Sequence, residues 1–119
     1  MIKSWGENLE LFSDPQWRIE KISIKQGGEC SVHYHRTKFN LFLWLAGELV
    51  INMWENDQFC YVRLNKNNTI VLIAPNVIHH FVATEDSFAL EIYWPAEYTE
   101  LICQDDIIRL EGVEICPIL

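Results

Sequence analysis

The sequence predicts an all-β fold, a closed or sandwich-like barrel, from three observations. Turn-forming residues recur at short intervals along the 119 residues, as at Gln26-Gly27-Gly28 and Asn65-Lys66-Asn67-Asn68. The stretches between the turns are short and rich in β-branched and aromatic residues. None of them repeats its apolar residues with the 3.6-residue period of a helix over three turns. Strands at this spacing are typical of sandwiches and barrels.

Eight strands follow from these patterns, and their hydrophobicity indicates how they are covered. Leu41–Leu45 and Ile70–Ile73 are apolar on both faces, whereas a strand with one wet face alternates. One face therefore lines a barrel interior and the other meets a second sheet or a second subunit, so we expect a homodimer. Short helical turns are predicted at Glu7–Phe12 and Glu97–Cys103. The predicted strands are Trp17–Ile24, Ser31–His35, Asn40–Leu45, Leu49–Trp54, Gln58–Leu64, Thr69–Ala74, His80–Thr84 and Phe88–Trp94.

Length and composition predict a single domain over residues 1–119 and exclude several partners. Half of the residues are hydrophobic and 22% are charged, which is a globular composition. The net charge of −8 argues against nucleic acid and against an anionic membrane surface, because both attract Lys and Arg. No apolar run is long enough for a membrane span, and the N-terminus lacks a signal-peptide pattern, so we expect a cytoplasmic protein with reduced cysteines.

The four histidines fall in two places, and the first place predicts a metal site. His33 and His35 are two residues apart on a predicted strand, so their side chains leave the same face. Imidazole is the commonest metal ligand in proteins. Gly28 lies upstream of the pair, Asn40 follows His35 after four residues, and Gly47 follows Asn40 after six. In the second place, Pro75 precedes His80 by four intervening residues.

This arrangement resembles the two signature motifs of the cupin superfamily, here at residues 28–47 and 69–84. The resemblance implies a cupin-like double-stranded β-helix, a jelly-roll barrel. It also implies a divalent metal ion inside the barrel, and imidazole ligands suit Zn, Fe, Mn and Ni alike. The residues at the four metal-binding positions of the motifs are His33, His35, Asn40 and His80.

Asn40 stands where the cupin pattern has a glutamate, and an amide offers the metal a carbonyl oxygen without a charge. Three outcomes stay open: a weaker four-ligand site, a three-histidine site in which Asn40 contacts the ligands without binding the metal, or loss of the metal. His79 leaves the opposite face of the strand from His80. It becomes the ligand candidate if His80 faces outward. Thr69, Val77 and Thr84 also depart from the second motif.

The chain further resembles the C-terminal cupin domain of type II mannose-6-phosphate isomerases. The shared features are the run around Ser31 and His35, the segment Leu90-Glu91-Ile92, and the segment from Gln104 to Arg109. The resemblance implies aldose–ketose isomerisation of a sugar phosphate. The Y-G-R that follows in that family is absent here, where the chain continues Leu110-Glu111-Gly112.

Further candidates are residues whose type fits a ligand cavity. Glu91 interrupts an apolar strand, so it faces outward, forms an ion pair, or lies inside the barrel as a general base. Phe42 and Trp44 share the face of Asn40 and line either the ligand cavity or ordinary core. The cations available to a sugar phosphate or a carboxylate are Lys38, Arg63 and Arg109.

Three functions remain open from the sequence. The leading one is a metal-dependent cupin acting on or binding a carbohydrate-type small molecule, with isomerisation as its reaction. The second is an Fe(II) dioxygenase, because three imidazoles can hold Fe(II) with open positions. The third is a sugar- or ligand-binding protein without turnover. Cys30, close to the first motif, is the cysteine whose role stays open.

Overall fold

The computed structural model describes residues 1–97, 101–102 and 106–111. Every regular element in these residues is a β-strand. The described chain contains no helix that could cross a membrane. The strands are β1 (Ile2–Lys3), β2 (Gly6–Ser13), β3 (Arg18–Ile24), β4 (His33–His35), β5 (Lys38–Ala46), β6 (Leu49–Glu55), β7 (Gln58–Leu64), β8 (Ile70–Ile73), β9 (Ile78–Ala83), β10 (Ser87–Pro95) and β11 (Ile107–Arg109).

The strands form two antiparallel sheets. One has six strands in the order β1-β2-β3-β10-β5-β8, and the other has five in the order β11-β4-β9-β6-β7. Neighbours in a sheet are often distant in sequence, since β10 lies between β3 and β5, and β9 lies between β4 and β6. The chain therefore crosses repeatedly from sheet to sheet, and the two histidine-bearing stretches become adjacent strands.

The core fills the space between the two sheets. Along β3, Ile22 and Ile24 are buried while their outward neighbours are not, as strand alternation requires. On the facing sheet, Leu49 and Ile51 of β6 and Phe81 of β9 belong to the same apolar cluster. Burial of each such large side chain contributes about 1.5–3 kcal/mol. This core occupies one part of the interior and leaves the other part to polar residues.

The turn by which the chain passes from β5 to β6 in the other sheet depends on Gly47, the last residue of the first cupin-like motif. Its φ is +81°, in the left-handed region that side chains with a Cβ disfavour. A Cβ built there would lie 2.3 Å from the backbone oxygen of Asp86. The motif glycine is thus required by the turn and by a close backbone approach.

The eight predicted strands are present, but the N-terminal helical turn is wrong. Glu7–Phe12 lies inside β2, which pairs along its length with β3. The physical reason is the pairing itself: β2 and the next strand, β3, satisfy each other's backbone groups, and the Asn8 amide donates to the Glu20 carboxylate at 3.0 Å. The second predicted turn, Glu97–Cys103, lies largely outside the described residues. Strands β1 and β11 were not predicted.

Candidate metal centre

Three imidazoles meet inside the barrel: His33 and His35 from β4, and His79 from the neighbouring strand β9. His33 and His79 are direct cross-strand partners. The ring centroids are 4.4 Å apart for His33 and His79, 5.1 Å for His33 and His35, and 5.3 Å for His35 and His79. One potential ligand atom from each ring lies within 4.8 Å of the other two. The group could therefore bind one metal ion.

Hydrogen bonds to the backbone orient all three rings. The Nδ1 atoms of His33, His35 and His79 lie 2.7, 3.3 and 2.9 Å from the carbonyl oxygens of Ser31, Asp106 and Val77. Because a carbonyl oxygen only accepts, each Nδ1 carries the proton and each Nε2 keeps its lone pair. This is the arrangement that fixes the tautomer of metal-bound histidines.

Burial keeps these rings neutral. Desolvation lowers the pKa of His33 and of His35 from 6.5 to about 4. It also lowers the pKa of His79 well below 6.5, and the neighbouring imidazoles act in the same direction. A metal ion binds the unprotonated nitrogen, so the ligands are ready at neutral pH without losing a proton.

His80 lies outside this group, which corrects its expected position. Its side chain leaves the opposite face of β9, where Nδ1 is 3.2 Å from the Asn52 amide nitrogen and Nε2 is 3.4 Å from a Glu29 oxygen. The structure brings His79 to His33 and His35 instead. Both faces of β9 are buried, so hydrophobic alternation did not distinguish the two histidines. The inward position of His79 follows from the register, in which it pairs with His33.

Asn40 lies on β5 of the facing sheet and is 1% exposed. Neither its amide nitrogen nor its amide oxygen has a hydrogen-bond partner among the described residues, and the same is true of Nε2 of His35 and His79. Buried polar atoms without partners are costly unless a ligand, ion or water satisfies them. The three histidines therefore fit a divalent ion, and Asn40 is a buried amide on the facing sheet without a partner among the described residues.

Asp106 is a functional residue that the sequence reasoning did not identify. Its carboxylate accepts hydrogen bonds from the backbone nitrogens of Arg36 and Thr37 at 2.8 and 2.6 Å, and from the Thr37 hydroxyl at 2.7 Å. Its carbonyl holds the ring of His35. Asp106 thus fixes the turn between β4 and β5 that separates His35 from Asn40.

Two adjoining cavities open beside His33 and His35. The first has a volume of about 280 Å³ and is lined by His33, His35, Cys30, Glu91 and Tyr93 among others. The second has about 250 Å³ and shares His35 and Tyr93 with the first. Each volume lies just below the roughly 300–1,000 Å³ of typical ligand pockets, so each cavity suits a small molecule.

Glu91 lies inside the barrel, as the general-base alternative requires. It is 7% exposed, and desolvation raises its pKa from 4.5 to about 7. The hydroxyl of Tyr93 donates to Oε2 of Glu91. The ring of Tyr93 in turn lies edge-on to His35, with centroids 5.7 Å apart. A buried carboxyl with a pKa near neutrality can accept and return a proton.

A second acid, Glu20, is held by its neighbours. Its Oε1 accepts from Nε of Arg18 at 3.0 Å, from the other Arg18 nitrogen at 2.8 Å, and from the Asn8 amide at 3.0 Å. Glu20 faces Glu91 across the β3–β10 pair. Its negative charge adds to the rise in the Glu91 pKa.

The predicted substrate-contacting residues divide into two groups. Lys38 and Arg109 line the second cavity, and Lys38 lies 4.9 Å above the Tyr93 ring. Phe42 and Trp44 do not line either cavity, which corrects their expected position. Phe42 is 1% exposed and lies edge-on to Phe81, while Trp44 packs against the core and donates from Nε1 to the Gly47 oxygen at 2.8 Å. Both lie on the predicted face of β5, but farther along the strand than the cavities reach.

Cys30 also faces the first cavity. Its Sγ accepts from the Phe81 backbone nitrogen at 3.2 Å. Burial raises the pKa of the thiol, so at neutral pH Cys30 is protonated. It lines the cavity and does not act as a nucleophile.

Comparison with known proteins identifies the fold. No protein-family model and no curated protein sequence matches the chain. Among solved structures, the chain is similar to the capsular polysaccharide assembling protein CapF from Staphylococcus aureus, with a TM-score of 0.74 and 23% identity over 93% of this chain. It is also similar to oxalate decarboxylase from Lactobacillus farciminis, with a TM-score of 0.72 and 14% identity over 92% of this chain.

A third similar structure, KdgF from Halomonas sp., has a TM-score of 0.65 and 16% identity, covering 76% of this chain and 80% of its own. The present chain spans about a third of the CapF and oxalate decarboxylase chains, 32% in each case. These neighbours are cupin-fold proteins. The all-β barrel described here is accordingly a cupin-like jelly roll, as predicted. The specific resemblance to the mannose-6-phosphate isomerase domain stays a prediction.

Proposed function

We propose that this chain binds a divalent metal ion through His33, His35 and His79 and transfers a proton on a carbohydrate-type small molecule in the adjoining cavity. One observation carries the proposal: three neutral imidazoles, each held by its Nδ1, bring one ligand atom apiece within 4.8 Å of the other two, and His33 and His35 line the same cavity as the buried carboxyl of Glu91. The metal is one of Zn, Fe, Mn or Ni, since imidazole suits all four.

The chemistry divides between the ion and the side chains. A bound divalent ion polarises a carbonyl or hydroxyl oxygen as a Lewis acid. Glu91 takes the C–H proton from the hydroxyl-bearing carbon next to the carbonyl carbon and returns it to the former carbonyl carbon, while the hydroxyl proton moves to the former carbonyl oxygen, so that carbonyl and hydroxyl exchange places. Tyr93 holds the carboxyl of Glu91 by its hydroxyl and positions it at the cavity wall.

The specific reaction that we propose is the isomerisation of a sugar phosphate. Four basic side chains line the second cavity next to His35, namely Lys3, Arg18, Lys38 and Arg109. Its one acid, Glu20, is neutralised by Arg18. In a chain of net charge −8, such a concentration of positive charge favours an anionic group at this end of the molecule. The polysaccharide-assembling role of CapF agrees with a carbohydrate ligand.

The test is proton exchange on a panel of aldose and ketose phosphates, using protein loaded with each candidate metal. NMR in deuterated water follows deuterium incorporation at the carbon beside the carbonyl, and product sugars are quantified in parallel. Incorporation that disappears in Glu91→Gln at unchanged metal content supports the proposal. Tight binding of a sugar phosphate without exchange or product would show the third function, a ligand-binding protein.

The Fe(II) dioxygenase is a second candidate, favoured by the donor set. The three histidines present no carboxylate to the ion, and Asn40 is an amide, so the site adds no negative charge. Three neutral ligands leave positions open on Fe(II) for oxygen and substrate. Oxygen consumption by the Fe(II)-loaded protein with thiols and diketones tests this candidate. Consumption that requires His79 would favour it over isomerisation.

A further inference from the structure

The outer face of the six-stranded sheet carries a continuous apolar surface. On β3, β10, β5 and β8, eleven of the thirteen outward-facing positions are apolar, and Lys21 and Ser23 are the exceptions. Several of these side chains are widely exposed: Ile70 52%, Leu72 50% and Leu45 42%. Isolated exposed apolar residues are ordinary, but a contiguous patch of this kind marks an interaction surface.

The charge of this face is unlike that of the whole chain. The chain carries −8, yet no outward position on these four strands, all of them described, is acidic. The one cation, Lys21, lies 4.9 Å above the ring of Phe88 on the same face. When two identical copies meet across a two-fold axis, the same patch faces itself, so a patch of one net sign meets the same net sign. A nearly neutral apolar face avoids that repulsion, so it suits self-association.

The area also fits a dimer. Strands β3, β10, β5 and β8 have 7, 9, 9 and 4 residues. At a spacing of about 4.8 Å and a rise of about 3.4 Å per residue, they give a flat footprint of roughly 470 Å². Projecting side chains raise the accessible area toward the roughly 800 Å² per partner of a standard interface.

We infer that the partner on this face is a second copy of the same chain, packed sheet against sheet. β5 and β10 then have two roles. Their inner faces carry Asn40, Glu91 and Tyr93, and their outer leucines form the centre of the interface. The metal-binding histidines belong to the other sheet. Loss of the dimer therefore leaves metal binding intact, and the two proposals fail separately.

Light scattering after size exclusion, on the full chain at micromolar concentration, tests the inference. The expected mass is twice the 14.0 kDa of one chain. Leu43→Glu places a carboxylate at the centre of the patch in both copies. It should weaken the dimer on the order of 100-fold or more, because like charges meet and are desolvated. Tyr61→Glu is the matched control, since Tyr61 is 48% exposed on β7 of the other sheet and should leave the dimer unchanged.

If Leu43→Glu fails to fold, Leu72→Glu decides, because Leu72 is half exposed on the edge strand β8 and supports little of the chain's own core. A monomeric wild-type chain at these concentrations would overturn the inference and leave the face to a different protein or to another part of a longer chain. Dimers that survive Leu72→Glu and Leu43→Glu would overturn it equally.

Discussion

The pH dependence of metal binding follows from the burial of the ligands. Desolvation lowers the pKa of His33 and His35 from 6.5 to about 4. At about pH 5.5, an imidazole of pKa 6.5 is roughly 90% protonated, so two such ligands would weaken metal binding by about 100-fold relative to neutral pH. With pKa values near 4, each ring is only about 3% protonated, and the affinity should fall by less than about twofold.

Calorimetric titration with Zn²⁺ measures this effect directly. At each pH the titration is repeated in two buffers of different ionisation heat, which gives the number of protons released as well as the affinity. The protein carries Glu91→Gln, because Glu91 has a pKa raised to about 7 and would release a proton of its own near the ion. We expect almost no proton release and a nearly constant affinity from neutral pH to about 5.5. A hundredfold loss with about two protons released would refute the account of buried, neutral ligands.

Three further predictions concern the proton-transfer residue, the amide and the turn. Glu91→Gln should lower exchange or isomerase activity by about 100-fold or more. Wild-type activity should rise with pH through about 7, because the base acts in its deprotonated form. Activity that does not rise with pH in this range would count against Glu91 as the base. Asn40→Asp should tighten metal binding by about tenfold, since a charged carboxylate replaces a neutral amide. Its thermal unfolding temperature should then depend on the metal concentration. An unchanged metal affinity would show that Asn40 is not part of the site. Gly47→Ala should lower the free energy of unfolding in urea by at least about 2 kcal/mol more than Gly27→Ala does. Both glycines have a positive φ, but a Cβ at Gly27 meets nothing within 4 Å. Equal losses would refute this steric explanation.

Much of the fold could be predicted because apolar strands and turn residues alternate locally. The face shared by His33 and His35 follows from their spacing of two residues on a strand. The choice between His79 and His80 could not be made in this way. Both faces of β9 are buried, so neighbouring positions look alike, and the register against β4 decides which imidazole turns inward.

The sequence also could not predict how far each residue of a strand lies from the cavity. Alternation placed Phe42 on the inner face with Asn40, and it lies there, but alternation does not tell how far each residue is from the polar end of the barrel. Phe42 is deep in the apolar cluster, whereas Asn40 is next to Tyr93 in the β5–β10 register. In the same way, β2 depends on its pairing with β3, which no local pattern at Glu7–Phe12 indicates.

The central claim is that His33, His35 and His79 form one metal site, and the paired variants His79→Ala and His80→Ala test it most directly. Both residues are 1% exposed neighbours on β9, so the two substitutions remove similar buried side chains. Elemental analysis after dialysis against a weak chelator measures the metal retained by each folded variant. We predict that His80→Ala keeps the metal of the wild-type protein and that His79→Ala loses it. Retention by His79→Ala, with loss by His80→Ala, would contradict the account.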